Sequence, residues 1–279
     1  MVTIKPGEPY NADAVAQTTK AFTDYFGSFG FAFAKVDAVP EIDRENNRVA
    51  LVLQSDPSRR AYVRKVNISG NNKTRDEVLR REFRQLEASW YDGDKIKLSR
   101  DRVDRLGYFT DVNIEIQEVP GSPDQVDLIV TLTEKPTGSL TVGAGFSSAE
   151  KVSLSFGVKQ ENVFGSGNYL GIDVNTSKYN RTFVLSTTNP YFTADGISRT
   201  LDLYHRSSKP YQDQGGNYEL VTQGASVRFG VPFSESDTVF FGGGLERTQI
   251  KPGTNMPAIY LAYAEEFGYT SMSVPLTIG

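Results

Sequence analysis

The chain has 279 residues, 38% hydrophobic content, no cysteine and a formal net charge of −4. That charge gives no electrostatic case for a nucleic-acid partner, and the missing cysteines exclude disulfides and thiolate metal ligands. No apolar run approaches the roughly 18 residues of a transmembrane helix. A barrel stays open, because its strands alternate and keep mean hydropathy low, here −0.38.

The N-terminal stretch "MVTIKPGEPYNADAV" has no signal-peptide pattern. Val15, Phe22 and Phe26 share one helical face, Gly30 ends that helix, and "FAFAKVDAV" and "RVALVLQ" read as two strands. A third strand, "YVRKVNIS", follows. Leu79, Phe83, Leu86 and Trp90 then recur at i, i+4, i+7 and i+11, which predicts a helix capped by Thr74 or Asn72. Arg80, Arg84 and Glu87 form a charged stripe opposite that apolar face, ordinarily just solvated surface. A second helix runs from about Leu98 through Val103 and Leu106 to Gly107. "DVNIEIQEV", the turn "PGSPDQ" and "VDLIVTLTE" complete a β-α-α-β-β order. An offset of about 77 residues places Gly30 on Gly107 and Val49 on Val126, the mark of tandem small domains of one type, the first truncated. Coincidence between two helix-strand-strand units is the alternative. "EKPTGS" is a hinge to the rest.

From Ser139 the helical period vanishes. Alternating runs occur around 139–146, 151–160, 168–177, 181–189, 197–206, 218–231 and 238–249. Each is near the 9–11 residues a tilted strand needs to cross a bilayer. Val152, Leu154, Phe156, Val158, Leu170, Ile172 and Val174 lie on one face and are assigned to lipid. Gly, Ser, Thr and Asn dominate the other, assigned to a wet lumen. The connections "NVFGSG", "NPYFTADG" and "PFSES" are compact, whereas "SSKPYQDQGGNY" and "KPGTNMPAIYLAYAEEFGYTSM" are long, as in an outer-membrane barrel. Phe164, Tyr191, Phe192 and Phe233 at the short turns fit an interfacial aromatic girdle. A soluble β-sandwich also alternates, but its solvated faces carry more Lys and Glu.

"SMSVPLTIG" begins an eighth run. An open sheet in lipid leaves unpaired backbone groups that cost several kcal/mol each, so further strands are expected after Gly279. A closed eight-stranded barrel is the weaker alternative. Enzyme chemistry is not expected. "FGSGNYLG" lacks the Lys-Ser/Thr of a phosphate loop, His205 is the sole histidine, and no carboxylates pair by spacing. No cofactor is implied.

Taken together, the chain resembles the BamA family of outer-membrane assembly factors over nearly its whole length. The resemblance rests on "VRKVNISGNNKTRDEVLRREFRQLEASWYD", "RLGYF", "VPGSPDQVDL" and "TNPYFTADG". It implies an α+β fold of POTRA domains followed by the N-terminal part of a transmembrane antiparallel β-barrel. Residues 1–58 would be the back half of a fourth POTRA domain and 60–136 the fifth. Residues 138–279 would be strands one to seven and the start of the eighth, with "NMPAIYLAYAEEFG" a loop helix. It further implies insertion of β-barrel clients into the outer membrane of a Gram-negative bacterium, with POTRA domains in the periplasm. Arg80, Arg84 and Glu87 would contact the accessory lipoprotein BamD. The first barrel strand, Gly138, Ser139, Leu140, Thr141, Val142, Gly143, Ala144, Gly145 and Phe146, would border a lateral seam. Its three glycines weaken the ladder, and an opened edge can take a client strand by β-augmentation. Glycines fitted to a crowded wall are the other reading of that strand. The competing functions are a polypeptide-secreting two-partner transporter of the same superfamily and a plain outer-membrane barrel.

Overall fold

A computed structural model describes residues 2–148, 150–209, 218–253 and 256–279. The chain divides into two units, Met1–Lys135 and Pro136–Gly279. Most of the loop "SSKPYQDQGGNY" and part of "KPGTNMP" lie outside the described residues.

The first unit contains α1 (Ala12–Gly27), β1 (Lys35–Asp43), β2 (Arg48–Asp56), β3 (Tyr62–Ser69), α2 (Asp76–Arg80), β4 (Ser89–Trp90), α3 (Gly93–Arg105), β5 (Phe109–Val119) and β6 (Ser122–Glu134). Equivalent caps start α1 and α3. The Asn11 side chain accepts from the backbone of Asp13 and Ala14, and that of Asp92 accepts from Asp94 and Lys95. Both helices are followed by a left-handed glycine, Gly30 at φ +97° and Gly107 at +74°. The hairpin β1–β2 repeats the hairpin β5–β6, both antiparallel. The repeat inferred from spacing is therefore a structural one.

In the second module the sheet order is β4-β3-β6-β5, with β3 and β6 parallel. Parallel strands need a long crossover, which α2 and α3 supply. Their buried side chains Val78, Leu79, Phe83, Ile96 and Val103 meet Val63, Val66, Val126, Leu128 and Val130 from the sheet. Each such burial stabilises by about 1.5–3 kcal/mol. Ala32 and Phe33 of the first module pack against the same core.

The helix expected from Leu79 to Trp90 does not form. It stops after Arg80, and Leu86 and Trp90 are 66% and 48% exposed. The backbone N–H groups of Arg84 and Gln85, which would continue the helix, donate to the Ser99 hydroxyl of α3 at 2.8 and 3.3 Å. Gln85, buried, then binds the strand that follows. Its amide donates to the Trp90 carbonyl at 3.0 Å and accepts from Asp92 N at 2.9 Å. Trp90 stacks instead on Tyr62 across β3–β4, with ring centroids 3.9 Å apart. Neither proposed cap holds either: Arg75 precedes α2 without a side-chain bond, and Thr74 is buried. The second helix begins at Gly93 rather than near Leu98, and the "PGSPDQ" turn shrinks to Pro120–Gly121.

The second unit is one antiparallel meander: β7 (Gly138–Ser147), β8 (Lys151–Gln160), β9 (Tyr169–Thr176), β10 (Asn180–Asn189), β11 (Ser198–Ser208), β12 (Glu219–Pro232) and β13 (Thr238–Lys251). The helix α4 (Ala258–Phe267) follows, then β14 (Thr270–Ser273) and β15 (Leu276–Ile278), both paired to β13. They form an eighth strand interrupted at Val274–Pro275. Pro275 has no N–H to give, but its carbonyl accepts from Gly244 at 3.0 Å.

Candidate functional site

The charged stripe becomes something other than a helix face. Beyond its short pairing with β4, β3 is an edge strand, and exposed edge groups invite foreign strands. At Val66 two side chains fill the edge. Glu87 accepts the Val66 N–H at 2.8 Å, and the Arg80 guanidinium donates to the Val66 carbonyl at 3.3 Å. Arg80 also reaches Glu87 at 3.4 Å and pairs with Asp76. Hydrogen bonding to Asp76 holds the Arg80 guanidinium above its usual pKa, reinforced by the charges of Asp76 and Glu87. Arg84 donates to the Arg81 carbonyl. The structure thus brings Arg80 and Glu87 together as an edge clamp.

Two carboxylates that the sequence reading did not single out brace the same module. Asp127 forms a bidentate pair with Arg64, and that hydrogen bonding holds its carboxyl below the usual range. At Glu134, burial pushes the carboxyl up. Bonds from Thr74 and from the Lys73 backbone more than offset this and leave it lowered. Its oxygens accept Thr74 N at 2.7 Å and Lys73 N at 3.0 Å, tying the loop before α2 to the end of β6. A Glu some 60 residues from its partners offers no local pattern to find it by.

In the second unit, β7 is the terminal strand of the sheet. Its pairing with β8 runs from Gly138↔Gln160 to Ser147↔Lys151. A Cβ added at Gly143 or Gly145 would meet only the rotatable hydroxyls of Ser155 and Ser153, and at Gly138 chiefly the end of Gln160. Backbone crowding does not require these glycines. Gly244 in β13 differs, since a Cβ there would lie 2.7 Å from the Ala225 carbonyl oxygen. Residues Gly138 to Phe146 therefore form an edge with a regular ladder and little side-chain support.

The register separates two faces. Leu140, Val142 and Phe146 lie opposite Val158, Phe156 and Val152, while Leu154, Phe156 and Val158 sit beside Thr176, Val174 and Ile172. Phe146 is 77% and Leu154 52% exposed, so this apolar face touches no protein core. Leu170 continues it, with Ile172 and Val174 half-buried. The opposite face is polar and internally bonded. Ser186 donates to Asp202 at 2.5 Å and the Tyr204 hydroxyl to Glu246 at 2.8 Å. The Tyr204 ring also fills the space that a side chain at Gly224 would take. At the end where β7 begins, Phe164, Phe192 and Phe233 are exposed, whereas Tyr191 is half-buried and packs beside Gly196. Among the described residues, no three His, Asp or Glu side chains gather where a metal ion could sit.

A two-faced antiparallel meander, preceded by tandem β-α-α-β-β modules, defines a class: an outer-membrane barrel protein carrying POTRA modules. Residues 1–56 and 61–135 match the POTRA family, described as surface antigen variable number repeat, and 162–277 match the Omp85 superfamily domain. The outer membrane protein assembly factor BamA of Neisseria meningitidis serogroup B is 37% identical over 272 residues, 97% of this chain and 34% of that protein. The crystal structure of BamA from Haemophilus ducreyi lacking POTRA domains 1–3 superposes with a TM-score of 0.81 at 28% identity. That match covers 99% of this chain and 54% of the other. CdiB from Escherichia coli, at 18% identity and a TM-score of 0.52, over 97% of this chain and 49% of its own, shares the fold. The chain belongs to the BamA family of outer-membrane assembly factors. It spans about a third of the length of the curated relatives it matches. Its place is the outer membrane of a Gram-negative bacterium, with the POTRA modules in the periplasm.

Proposed function

We propose that this chain serves in folding β-barrel clients and inserting them into the outer membrane, with the β7 edge as the point of entry. The observation that carries the reading is β7 itself, a first strand with a regular ladder to β8 and glycines that no backbone contact demands. An incoming strand would add to its N–H and C=O groups by β-augmentation, a recognition blind to side chains and so open to many client sequences. The step needs no catalytic residue, cofactor or nucleotide; backbone hydrogen bonds formed in a medium without competing water drive it. The apolar face, with Val152, Leu154, Phe156, Val158, Leu170, Ile172 and Val174, would meet hydrocarbon, and the Phe164–Phe192–Phe233 belt the headgroup boundary.

The POTRA modules would hold the accessory subunits. Arg80 and Glu87 are the residues through which an accessory lipoprotein of the BamD type would engage the second module, with Arg84 alongside. The names of the curated relatives favour the assembly reading over a secretion transporter. A photo-crosslinking residue placed at Leu140 or Val142 of the full-length protein, in membranes translating a client, tests the entry point. Crosslinks to the client's terminal strand are expected. Crosslinks to lipid alone, at both positions, would overturn it.

A further inference from the structure

We propose that Arg199 and the aromatic shelf beneath it form a binding site for the phosphate of a phospholipid in the periplasmic leaflet, an inference that rests on the lipid-facing reading of the apolar face. Arg199 is the second residue of β11 and pairs with Asn189 and Phe229. Alternation puts it on the same face as Leu201 and Leu203, which are 37% and 50% exposed. A cation there would face hydrocarbon if it lay in mid-strand. It lies instead beside the short turn 190–197, at the end of the sheet where β7 starts, the end that the POTRA modules mark as periplasmic.

Its surroundings are those of an interface. The Arg199 guanidinium carbon sits 4.3 Å from the centre of the Phe192 ring. Phe192 lies 6.0 Å from Phe229, and Phe229 5.8 Å from Phe241, the last two on the same face at the same depth. Among the described residues, no carboxylate reaches ion-pair distance of Arg199. A guanidinium over an aromatic ring can still present N–H groups outward, and that planar fork matches a phosphate's oxygens in a way an ammonium does not. The rings at its level, with Leu201 and Leu203 deeper along β11, offer acyl chains an apolar bed. Anionic charge above and hydrocarbon below describe a phospholipid, and the basic side chain is favoured near such a surface.

The test uses the full-length protein purified in detergent and exposed to phosphatidylglycerol or to a galactosyl diacylglycerol with the same acyl chains and no phosphate. Native mass spectrometry counts the lipid retained. Wild-type protein is expected to hold phosphatidylglycerol about fivefold better than Arg199→Gln, with little difference for the galactolipid. Arg199→Lys is expected to fall between, and Phe192→Leu to lose part of the preference. Equal retention of phosphatidylglycerol by wild type and Arg199→Gln overturns the site. Displacement by millimolar inorganic phosphate would assign it to the free anion and overturn the lipid source. Should Arg199→Gln not fold, the wild type decides alone, and no preference between the two lipids overturns the proposal. Retention of neither lipid would instead remove the lipid-facing reading on which it stands.

Discussion

The Glu87 carboxylate accepts the backbone N–H of Val66 at 2.8 Å, 21 residues away in sequence, while Arg80 binds the carbonyl of the same residue. Glu87 therefore has two duties if it also meets an accessory lipoprotein: it presents a charge and it closes the β3 edge. Glu87→Lys removes the acceptor and sets a cation beside Arg80. Weakened co-purification of the lipoprotein is expected, together with faster amide exchange at Val66. Glu87→Gln keeps an acceptor and should preserve Val66 protection while still reducing association if charge is what the partner reads. Wild-type co-purification with Glu87→Lys would remove Glu87 from the interface.

The two faces of the meander give a paired test. Leu154→Arg, on the exposed apolar face, should cost about 2–4 kcal/mol of barrel stability near the bilayer midplane. Ser155→Arg, one residue on and on the opposite face, should cost much less. Urea unfolding of the full-length protein in vesicles reads both, and equal losses would contradict the assignment of inside and outside.

If β7 is the proposed entry point, its glycines should bear on client insertion more than on folding. Gly143→Ala adds a methyl that meets only the Ser155 hydroxyl, which can rotate away. It removes some backbone freedom from the strand, so it should stiffen the seam by about 0.5–1 kcal/mol. Slower client insertion by vesicles carrying the variant is expected, with barrel stability unchanged or raised. Gly244→Ala is the contrasting control. Its Cβ would press on the Ala225 carbonyl oxygen, and lower barrel stability is the expected result.

The second POTRA module should carry an acid-sensitive component of stability. Glu134 and Asp127 both have lowered carboxyl pKa values in the fold. A group lowered on folding stabilises above its unfolded pKa, about 3.9 for Asp and 4.3 for Glu. That contribution is lost as pH falls through the lower, folded value. Thermal unfolding should therefore be flat in these terms above about pH 5 and decline below about pH 4. Glu134→Ala should remove part of the decline. It should also lower stability by about 1–3 kcal/mol, because the Thr74 and Lys73 backbone groups lose their acceptor.

Much of this molecule is written in its sequence. Period-two alternation placed β7 to β13 within a residue or two, because a two-sided strand must sort its side chains by solvent. The tandem POTRA order was legible from Gly30, Gly107 and their hairpins, since left-handed helix ends and amphipathic strands are local requirements. The stretch Leu79–Trp90 shows where that legibility ends. Its helical spacing is real, yet Ser99 captures the N–H groups that would extend α2, and Gln85 binds the chain beyond. Ser99 lies on α3, 14 and 15 residues from the groups it captures, and its hydroxyl is no part of the local period around Leu86. The same holds for the Glu87–Val66 clamp and for Glu134 on Thr74. Local periodicity decides which elements can exist. Only the folded chain decides which backbone groups find better partners elsewhere, because that competition is settled by groups distant in sequence and close in space.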